Sequence, residues 1–496
     1  MSVLYVIGVG GTGTKCVEAF IHLCAMGVVE DMGDVEIRIV DIDESGGNFE
    51  RMSSVMKNYQ KTRERVRLPM QEAPYVFAPN LRFGQKSLWS ARTEDNYGNN
   101  DTLDQRMVRN PMTPEEQLLM RSLYSRAERE MELDVGVRGV PRVGALLCAQ
   151  NLDLEQDEFW EELFGEAAYT RIQAENAKVI LVGSLFGGTG ASCTPTIARA
   201  LSSWAAAKGL GGLKIGLCMM LPYFLFGGSA ASDDEVRARA DYFIVNTKAA
   251  LLYYKKIGIL DFASNVYILG DEVTAERQVK FAIGKSAQRN DAMPVELVAS
   301  AAIKDFLYDN RIDKKIKYVK SNAADDVVGG YNWKQFPDGV LIRERMDRLL
   351  RFSMLFNYHC FSMAQTNDTD LSKNAVFNTF FGIGTFTSRK SREDWLDAMQ
   401  PVFDYTESFM EWVRQIKATG MNMLDPNDVL SKRDLKNHQS SLDISAIAGR
   451  ADAATTTKGA RWDMVFGKLN AQKPTATKDY VSADFLNAVY RVSDFV

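Results

Sequence analysis

The 496-residue chain is poor in the side chains that build many metal and nucleophilic sites. Its three histidines, His22, His359 and His438, are too few and too dispersed for a histidine-based metal site, and a Ser-His-Asp triad would have to use one of them. The six cysteines are scattered, and none forms a CxxC pair. This pattern predicts free, buried thiols in a reducing compartment.

The chain also lacks a basic excess and a long apolar run. It has 59 Lys and Arg against 64 Asp and Glu, a formal net charge of -5, which argues against binding nucleic acid. The longest apolar run, at 215–226, contains Pro222 and is too short to cross a bilayer. The N-terminus begins at once with a strand pattern, so no signal peptide is expected. We therefore expect a cytoplasmic protein without a transmembrane segment.

The first half alternates strand and helix patterns. Short apolar runs rich in β-branched residues predict buried strands at 3–9, 35–41, 178–184, 213–221 and 265–269. Helical patterns at 14–26, 193–207 and about 232–256 lie between them. Such alternation predicts an α/β fold, a parallel sheet with helices on both faces.

The remaining segments suggest a second region of different character. A polar stretch at 88–110 predicts an inserted loop, and a charged helix is expected at 114–133. Beyond the sheet region, helices are predicted at 293–308, 340–364 and 391–417, with one or two strands at 376–388. We expect a first, α/β domain over 1–275 with an insertion at about 85–133, followed by a helix-rich α+β C-terminal domain over 276–496.

Glycine-rich turns between strands and helices supply the main functional signal. A backbone that approaches a phosphate closely needs glycine, and a helix beginning just behind it adds unpaired N–H groups. Gly8–Thr14 has this arrangement and matches GxGxxG, with Asp41 or Asp43 after the next strand. Taken alone, the match indicates either a Rossmann dinucleotide site or a tight turn without a ligand.

Two further segments share this design. Gly183–Ser192 lies between a buried strand and a helix, and its Thr189 and Ser192 can donate to phosphate oxygens. It lacks the lysine that a Walker A loop requires. In the third segment, Gly136–Gly144, an arginine (138 or 142) either neutralises a terminal phosphate or is solvated at the surface.

The order of these segments resembles the GTPase domain of the tubulin/FtsZ family over roughly residues 1–270. The matching segments are Gly8–Thr14, the acidic Val40–Glu44, Gly136–Gly144 with Val140 where asparagine is usual, Phe186–Ser192 (FGGTGAS, similar to GGGTGSG), and Leu221–Phe224. Divergent, tubulin-like bacterial proteins fit better than FtsZ itself.

The resemblance implies a site for GTP or GDP with Mg²⁺. Asp43 would lie near the γ-phosphate and bind Mg²⁺ directly or through water. The expected nucleotide-binding residues are Gly10, Gly11, Thr12, Gly13, Asp43, Arg138, Gly139, Gly187, Gly188, Thr189 and Gly190.

Base recognition and catalysis match the family less well. Family members read guanine with an asparagine at the start of the central helix, for which Asp271 and Asn246 are the candidates here. The family's catalytic acid lies at the end of that helix, and Asp291 and Glu296 are the nearest acids. Glu296 has an alternative role as a first-turn residue of a helix that begins at Pro294.

Three functions follow as hypotheses. The first is a tubulin-like GTPase whose nucleotide state controls self-assembly into filaments or oligomers. The second is a non-polymerising nucleotide-binding scaffold that contacts other proteins through its C-terminal half. The third is a Rossmann dinucleotide-binding enzyme, which leaves the turn at 187–190 without a role.

Overall fold

The computed structural model describes most of the chain. The described residues are 4–30, 33–44, 46–66, 76–91, 101–109, 112–133, 136–137, 139–175, 177–227, 240–271, 278–280, 289–308, 315–320, 333, 336–365, 375–381, 389–421, 467–474 and 481–493.

Seven parallel strands form the central sheet, in the order β3-β2-β1-β4-β5-β7-β9. A separate parallel pair joins β6 and β8. The strands are β1 Leu4–Val9, β2 Asp34–Val40, β3 Asn80–Trp89, β4 Lys178–Ser184, β5 Lys214–Met220, β6 Leu225–Gly227, β7 Asn265–Gly270, β8 Gln278–Lys280 and β9 Lys315–Lys320.

Helices cover both faces of this sheet, which confirms the predicted fold class. They are α1 Gly10–Ala25, α2 Gly47–Val66, α3 Leu103–Arg109, α4 Pro114–Leu123, α5 Arg126–Arg129, α6 Pro141–Asn151, α7 Glu158–Phe164, α8 Glu166–Glu175, α9 Gly188–Ala207, α10 Ala240–Lys256, α11 Ile259–Phe262, α12 Pro294–Tyr308, α13 Gly339–Leu355, α14 Ser362–Gln365, α15 Ala375–Phe381, α16 Arg389–Ala418 and α17 Val481–Val492. A π-helical segment, Phe356–Phe361, joins α13 to α14.

Strand β1 shows why the sheet needs two helical layers. All six of its residues are buried. Leu4 and Val6 belong to one apolar cluster, with α1, α12 and α16, whereas Tyr5 and Ile7 belong to another, with α7 and α9. Because side chains alternate between the faces of a strand, a strand apolar at every position is stable only when both faces are covered.

Elements beyond residue 275 contribute to this same sheet and core. β9 pairs with β7 and extends the sheet by one strand. Helix α16 packs against α2, and the Tyr405 hydroxyl lies 2.9 Å from Nδ1 of His22 in α1. The predicted division at 275 stays a prediction, but the C-terminal half is packed against the first half through these contacts.

Several local predictions were wrong. Residues 376–381 are helical in α15 instead of extended, because Phe377 and Phe381 pack against Phe485 of α17; residues 382–388 lie outside the described part of the chain. The expected loop at 88–110 contains the end of β3 and all of α3. The expected helix at 114–133 divides into α4 and α5, since Tyr124 is extended.

Both glycine turns are tighter than predicted. Helix α1 begins at Gly10 and α9 at Gly188, each about four residues earlier than the helical pattern suggested. The glycines are therefore the first turns of the helices themselves. Their backbone N–H groups point along the helix axes and away from the sheet edge.

The predictions about the cysteines and about a transmembrane helix can be compared with the structure. All six cysteines are free and buried, as predicted. Among the described residues, no helix combines the length and hydropathy needed to cross a bilayer.

Candidate functional site

Two helix N-termini meet at the carboxyl edge of the sheet. β1 leads into α1 and the adjacent β4 leads into α9. A Cβ built on Gly10 would lie 3.2 Å from the backbone nitrogen of Gly190 and 3.3 Å from Cβ of Thr189. Gly10 also has φ of +73°, a conformation that side chains rarely adopt. The first two glycine segments predicted from the sequence thus form one surface.

Neither N-terminus is capped by a side chain. Val9 and Gly187 occupy the N-cap positions without a side-chain hydrogen bond, and neither helix has an acidic residue in its first turn. Gly11, Thr12, Gly187 and Gly188 are only partly buried. Uncapped N–H groups and the positive ends of two helix dipoles therefore face one accessible spot, an arrangement that binds anions.

Close packing behind the turns explains the glycines there. A Cβ on Gly13 would lie 2.2 Å from the carbonyl oxygen of Val182 in β4, and one on Gly183 would lie 3.3 Å from Cα of Gly190. Backbone atoms cannot move aside as the end of a flexible side chain can. Larger residues here would separate α1 from β4 and open the anion surface.

The third glycine segment closes over the second. A Cβ on Gly188 would lie 3.3 Å from the backbone nitrogen of Gly139 and would overlap Cγ2 of Val137. Asn246 of α10 joins the two segments, since its Nδ2 donates to the carbonyl oxygens of Gly139 (3.2 Å) and Phe186 (3.4 Å). Asn246 therefore positions these two loops.

Two carboxyl groups follow β2 beside the helix termini. The Thr189 hydroxyl donates to Oδ1 of Asp41 at 3.2 Å. Burial, and then the neighbouring Asp43 carboxylate, raise the pKa of Asp41 to about 7. Asp43 is buried, and a Cβ added to Gly136 would lie 3.5 Å from the Cβ of Asp43. An acidic pair thus borders the anion surface.

This acidic pair suits a magnesium ion shared with a phosphate. Among the described residues, no three His, Cys, Asp or Glu side chains cluster closely enough to hold a metal alone. Mg²⁺ is commonly held by one or two carboxylates while phosphates and waters supply the other ligands. Asp41 and Asp43 provide the oxygens for such a shared ion, and a cation would offset the repulsion between them.

The arginines of the third segment are not both visible at the site. Arg138 lies outside the described residues. Arg142 forms an ion pair with Glu128 of α5 and lines a groove beside the segment. Arg142 is therefore engaged by a carboxylate of the chain itself.

A polar group next to Gly11 was missed in the sequence. Nδ2 of Asn48, in α2, lies 3.3 Å from where a Cβ of Gly11 would stand. Its Oδ1 accepts from the backbone nitrogen of Asn290 at 3.0 Å, and Arg51 donates to the Asn290 carbonyl oxygen at 2.8 Å. In the sequence, the location of Asn290 shortly before the helix that begins at Pro294 could have indicated a residue near a helix start at the site.

The predicted base-reading and catalytic acids lie in different places. Asp271 follows β7, roughly 10 Å from β4 by strand spacing, and lines a cavity with Leu221 and Pro222. Asp291 is exposed beside Asn290. Asp291 precedes α12 and Glu296 lies in its first turn, which agrees with the alternative in which a helix begins at Pro294.

Glu296 belongs to a buried network beneath the first glycine turn. Its carboxylate lies 2.5 Å from Nζ of Lys15 and accepts from the Tyr223 hydroxyl at 2.7 Å. It also accepts from the backbone nitrogen of Met293 at 3.0 Å, which favours the helix-start alternative. The Thr12 side chain hydrogen-bonds the Tyr223 hydroxyl. Glu296 thus connects α1 to α12.

Comparisons with known proteins give only distant matches. No family model matches the sequence, and no curated protein does either. Among solved structures, CetZ2 from Haloferax volcanii, described as a GTPγS-bound protofilament, matches with 16% identity and a TM-score of 0.26 over 62% of this chain and 56% of that chain. CetZ from Methanosaeta thermophila strain DSM 6194 matches with 12% identity and a TM-score of 0.24 over 62% and 52%. The match thus spans little more than half of these tubulin/FtsZ-superfamily chains, and similarity this slight assigns no function.

Proposed function

We propose that the chain is a tubulin-like protein that binds GTP with Mg²⁺ and uses the nucleotide state to control its self-assembly. The observation that carries the proposal is the 3.2 Å approach between the Cβ position of Gly10 and the backbone nitrogen of Gly190. This approach brings two uncapped helix N-termini close enough to contact a single anion. A polyphosphate chain is long enough to contact both termini at once.

The double turn also argues against a dinucleotide enzyme. A Rossmann site uses one glycine turn and one helix N-terminus for its pyrophosphate. Here the N-terminus of α9 is uncapped like that of α1. Its Thr189 hydroxyl also donates a hydrogen bond to Asp41. A triphosphate with a magnesium ion uses both turns and the acidic pair, whereas NAD leaves the second turn without a role.

Guanine recognition is proposed for the start of α12. This helix packs against α1, which begins with the first glycine turn. Asn290 lies just before it and reaches the first glycine turn through Asn48. An amide or carboxylate here, from Asn290 or Asp291, can pair with the polar edge of guanine. We propose these two residues in place of Asp271 and Asn246, whose predicted role in base recognition stays a prediction.

The binding proposal is tested by introducing an acid at the anion surface. Gly11 is the second residue of α1, and a carboxylate in a first helical turn favours folding. In Gly11→Asp the side chain occupies the spot meant for phosphate. We expect at least a tenfold weaker affinity for GTP, measured by calorimetry, with undiminished thermal stability.

A control variant and a competitor make the experiment decisive. Gly211→Asp adds the same charge where nothing lies within 4 Å of the added Cβ, and should bind GTP normally. The nucleotide that co-purifies with the protein is to be identified, and NAD is to compete with GTP. Displacement of GTP by NAD at equal concentration would refute the proposal.

Assembly is tested separately by sedimentation with GTP and with GDP. More pelleted protein with GTP is the expected outcome. Tight binding with negligible turnover and equal pellets would favour the scaffold alternative, in which the C-terminal half contacts other proteins.

A further inference from the structure

A groove of about 1200 Å³ lies between α6, α9 and α10 and borders the third glycine segment at Gly139. Its lining is rich in small, mostly apolar side chains, among them Ala145, Ala149, Ala191, Pro195, Ala200 and Ala249. Small residues leave room for larger side chains from outside, as in grooves that accept the apolar face of a helix. We call it the α6–α9–α10 groove.

The groove also carries positive charge at its surface. Arg142 and Arg199 line it, and both are exposed. Arg142 is paired with Glu128, while Arg199 is an exposed cation on α9. An occupant with an apolar face and an acidic group matches this lining.

Helix α4 presents such a face to solvent. Leu118, Leu119 and Leu123 are 68%, 57% and 56% exposed. At 100° per residue they share one side of α4 with the exposed Glu115, whereas the buried Met120 lies at the edge of this face, next to Leu123. A helix that turns its leucines outward indicates a contact surface.

The leucine face and the groove are neighbours on the molecule. Tyr124, the residue that ends α4, lines the groove, and its hydroxyl donates to the carbonyl oxygen of Arg142 at 3.3 Å. Adjacent complementary features allow two copies to pair reciprocally about a two-fold axis. Each copy would then give its α4 and receive the α4 of the other.

We infer that α4 of a second copy of this chain docks in the α6–α9–α10 groove. The leucine face fills the apolar floor, and Glu115 of one copy faces Arg199 of the other. The groove borders the third glycine segment, but the contacts made by the leucines and by Glu115 involve no nucleotide. The dimer should therefore form without nucleotide.

The first test is the oligomeric state of the full chain without nucleotide. Sedimentation equilibrium should show a concentration-dependent dimer. Leu119→Asp should raise the dimer dissociation constant at least tenfold. Leu252→Asp is the matched control, since Leu252 is 60% exposed but lines the cavity on the other side of α10, and it should leave the constant unchanged.

A charge exchange tests the predicted orientation. Glu115→Lys and Arg199→Glu should each weaken the dimer, and the double variant should regain most of the wild-type affinity because each copy carries both changes. A monomer at every concentration overturns the inference, as does a dimer insensitive to Leu119→Asp or a double variant as weak as its singles. A monomer whose groove instead binds another protein or a small apolar ligand also overturns it. The GTP affinity of each variant is measured alongside and should equal that of wild type, so the two proposals fail separately.

Discussion

At the scale of single residues, the fold opposes the ionisation of Asp41 and depends on the absence of a side chain at Gly13. The first effect comes from burial beside Asp43, and the second from contact with the backbone of β4. Both residues lie at the proposed anion surface. Each gives a measurable consequence without any bound nucleotide.

The Asp41 carboxyl predicts a pH-dependent stability difference. Its pKa is raised to about 7 from an ordinary 3.8, so the folded state holds the proton more tightly. The associated stability is present below about pH 4 and is lost as the pH rises through 7. Asp41→Asn keeps an acceptor for Thr189 and has no proton to lose. Its unfolding free energy relative to wild type should therefore rise between pH 4.5 and pH 8, by on the order of 2–4 kcal/mol.

Urea denaturation at several pH values measures this difference. Asp397→Asn, at an exposed position on α16, is the control and should differ from wild type equally at every pH. A constant difference for Asp41→Asn as well would show that burial does not affect this carboxyl group.

Gly13 predicts a steric cost. Its added Cβ would lie 2.2 Å from the Val182 carbonyl oxygen, which belongs to a central strand and cannot move freely. We expect Gly13→Ala to lose about 1–3 kcal/mol of unfolding free energy, as for other overpacked sites. Gly211→Ala, where the added Cβ meets nothing within 4 Å, should lose much less. Equal losses in chemical denaturation would contradict the close packing of α1 on β4.

At the scale of elements, α1 and α12 are joined by a buried charge pair. Lys15 and Glu296 are each at most 2% exposed, and the Tyr223 hydroxyl donates to the same carboxylate. A buried charge is tolerated when paired and costly when alone. The pair therefore fixes how the start of α12, with Asn290, lies against the first glycine turn.

Removing one partner should be worse than removing both charges. Lys15→Met leaves Glu296 buried without its cation and should cost about 3–5 kcal/mol. Glu296→Gln retains an acceptor for Tyr223 but isolates the Lys15 ammonium. The double variant should recover much of the loss, as a double-mutant cycle in urea would show. Simple additivity of the two losses would mean that the pair is not coupled.

At the scale of the whole molecule, the C-terminal half is attached to the sheet through aromatic packing around His22. The imidazole lies among Tyr405, Phe409 and Trp412 of α16 and hydrogen-bonds the Tyr405 hydroxyl. Burial, with a smaller effect of Arg51, lowers the pKa of His22 to about 3. The ring is therefore neutral in the folded chain at physiological pH.

This histidine predicts acid sensitivity of the α1–α16 contact. The unfolded chain takes up the proton near pH 6.5, so the stability is fully present above 6.5 and declines as the pH falls towards 3. His22→Gln should flatten the fall in unfolding free energy between pH 6.5 and 4.5, by up to about 1.4 kcal/mol per pH unit. An unchanged slope in denaturation curves would show that this ring is not protected from protonation. The trend opposes that of Asp41, so the two variants are distinguishable.

The sequence by itself determined the parallel α/β sheet and the glycine segments. The segments 3–9 and 178–184 are apolar at almost every position, which predicts strands buried on both faces. Glycine is required wherever one backbone segment closely approaches another. These are properties of short segments. They need no knowledge of distant residues.

Only the tertiary structure decided which segments share a site. Gly10 and Gly190 are 180 positions apart in the chain, and their contact depends on β1 lying beside β4. Asn48 and Asn290 come together only because α12 packs on α1 next to α2. Residues 376–381 became helical through packing with α17. Contacts between residues far apart in the chain select among local conformations of similar energy. A pattern read from one short segment therefore cannot predict which conformation forms.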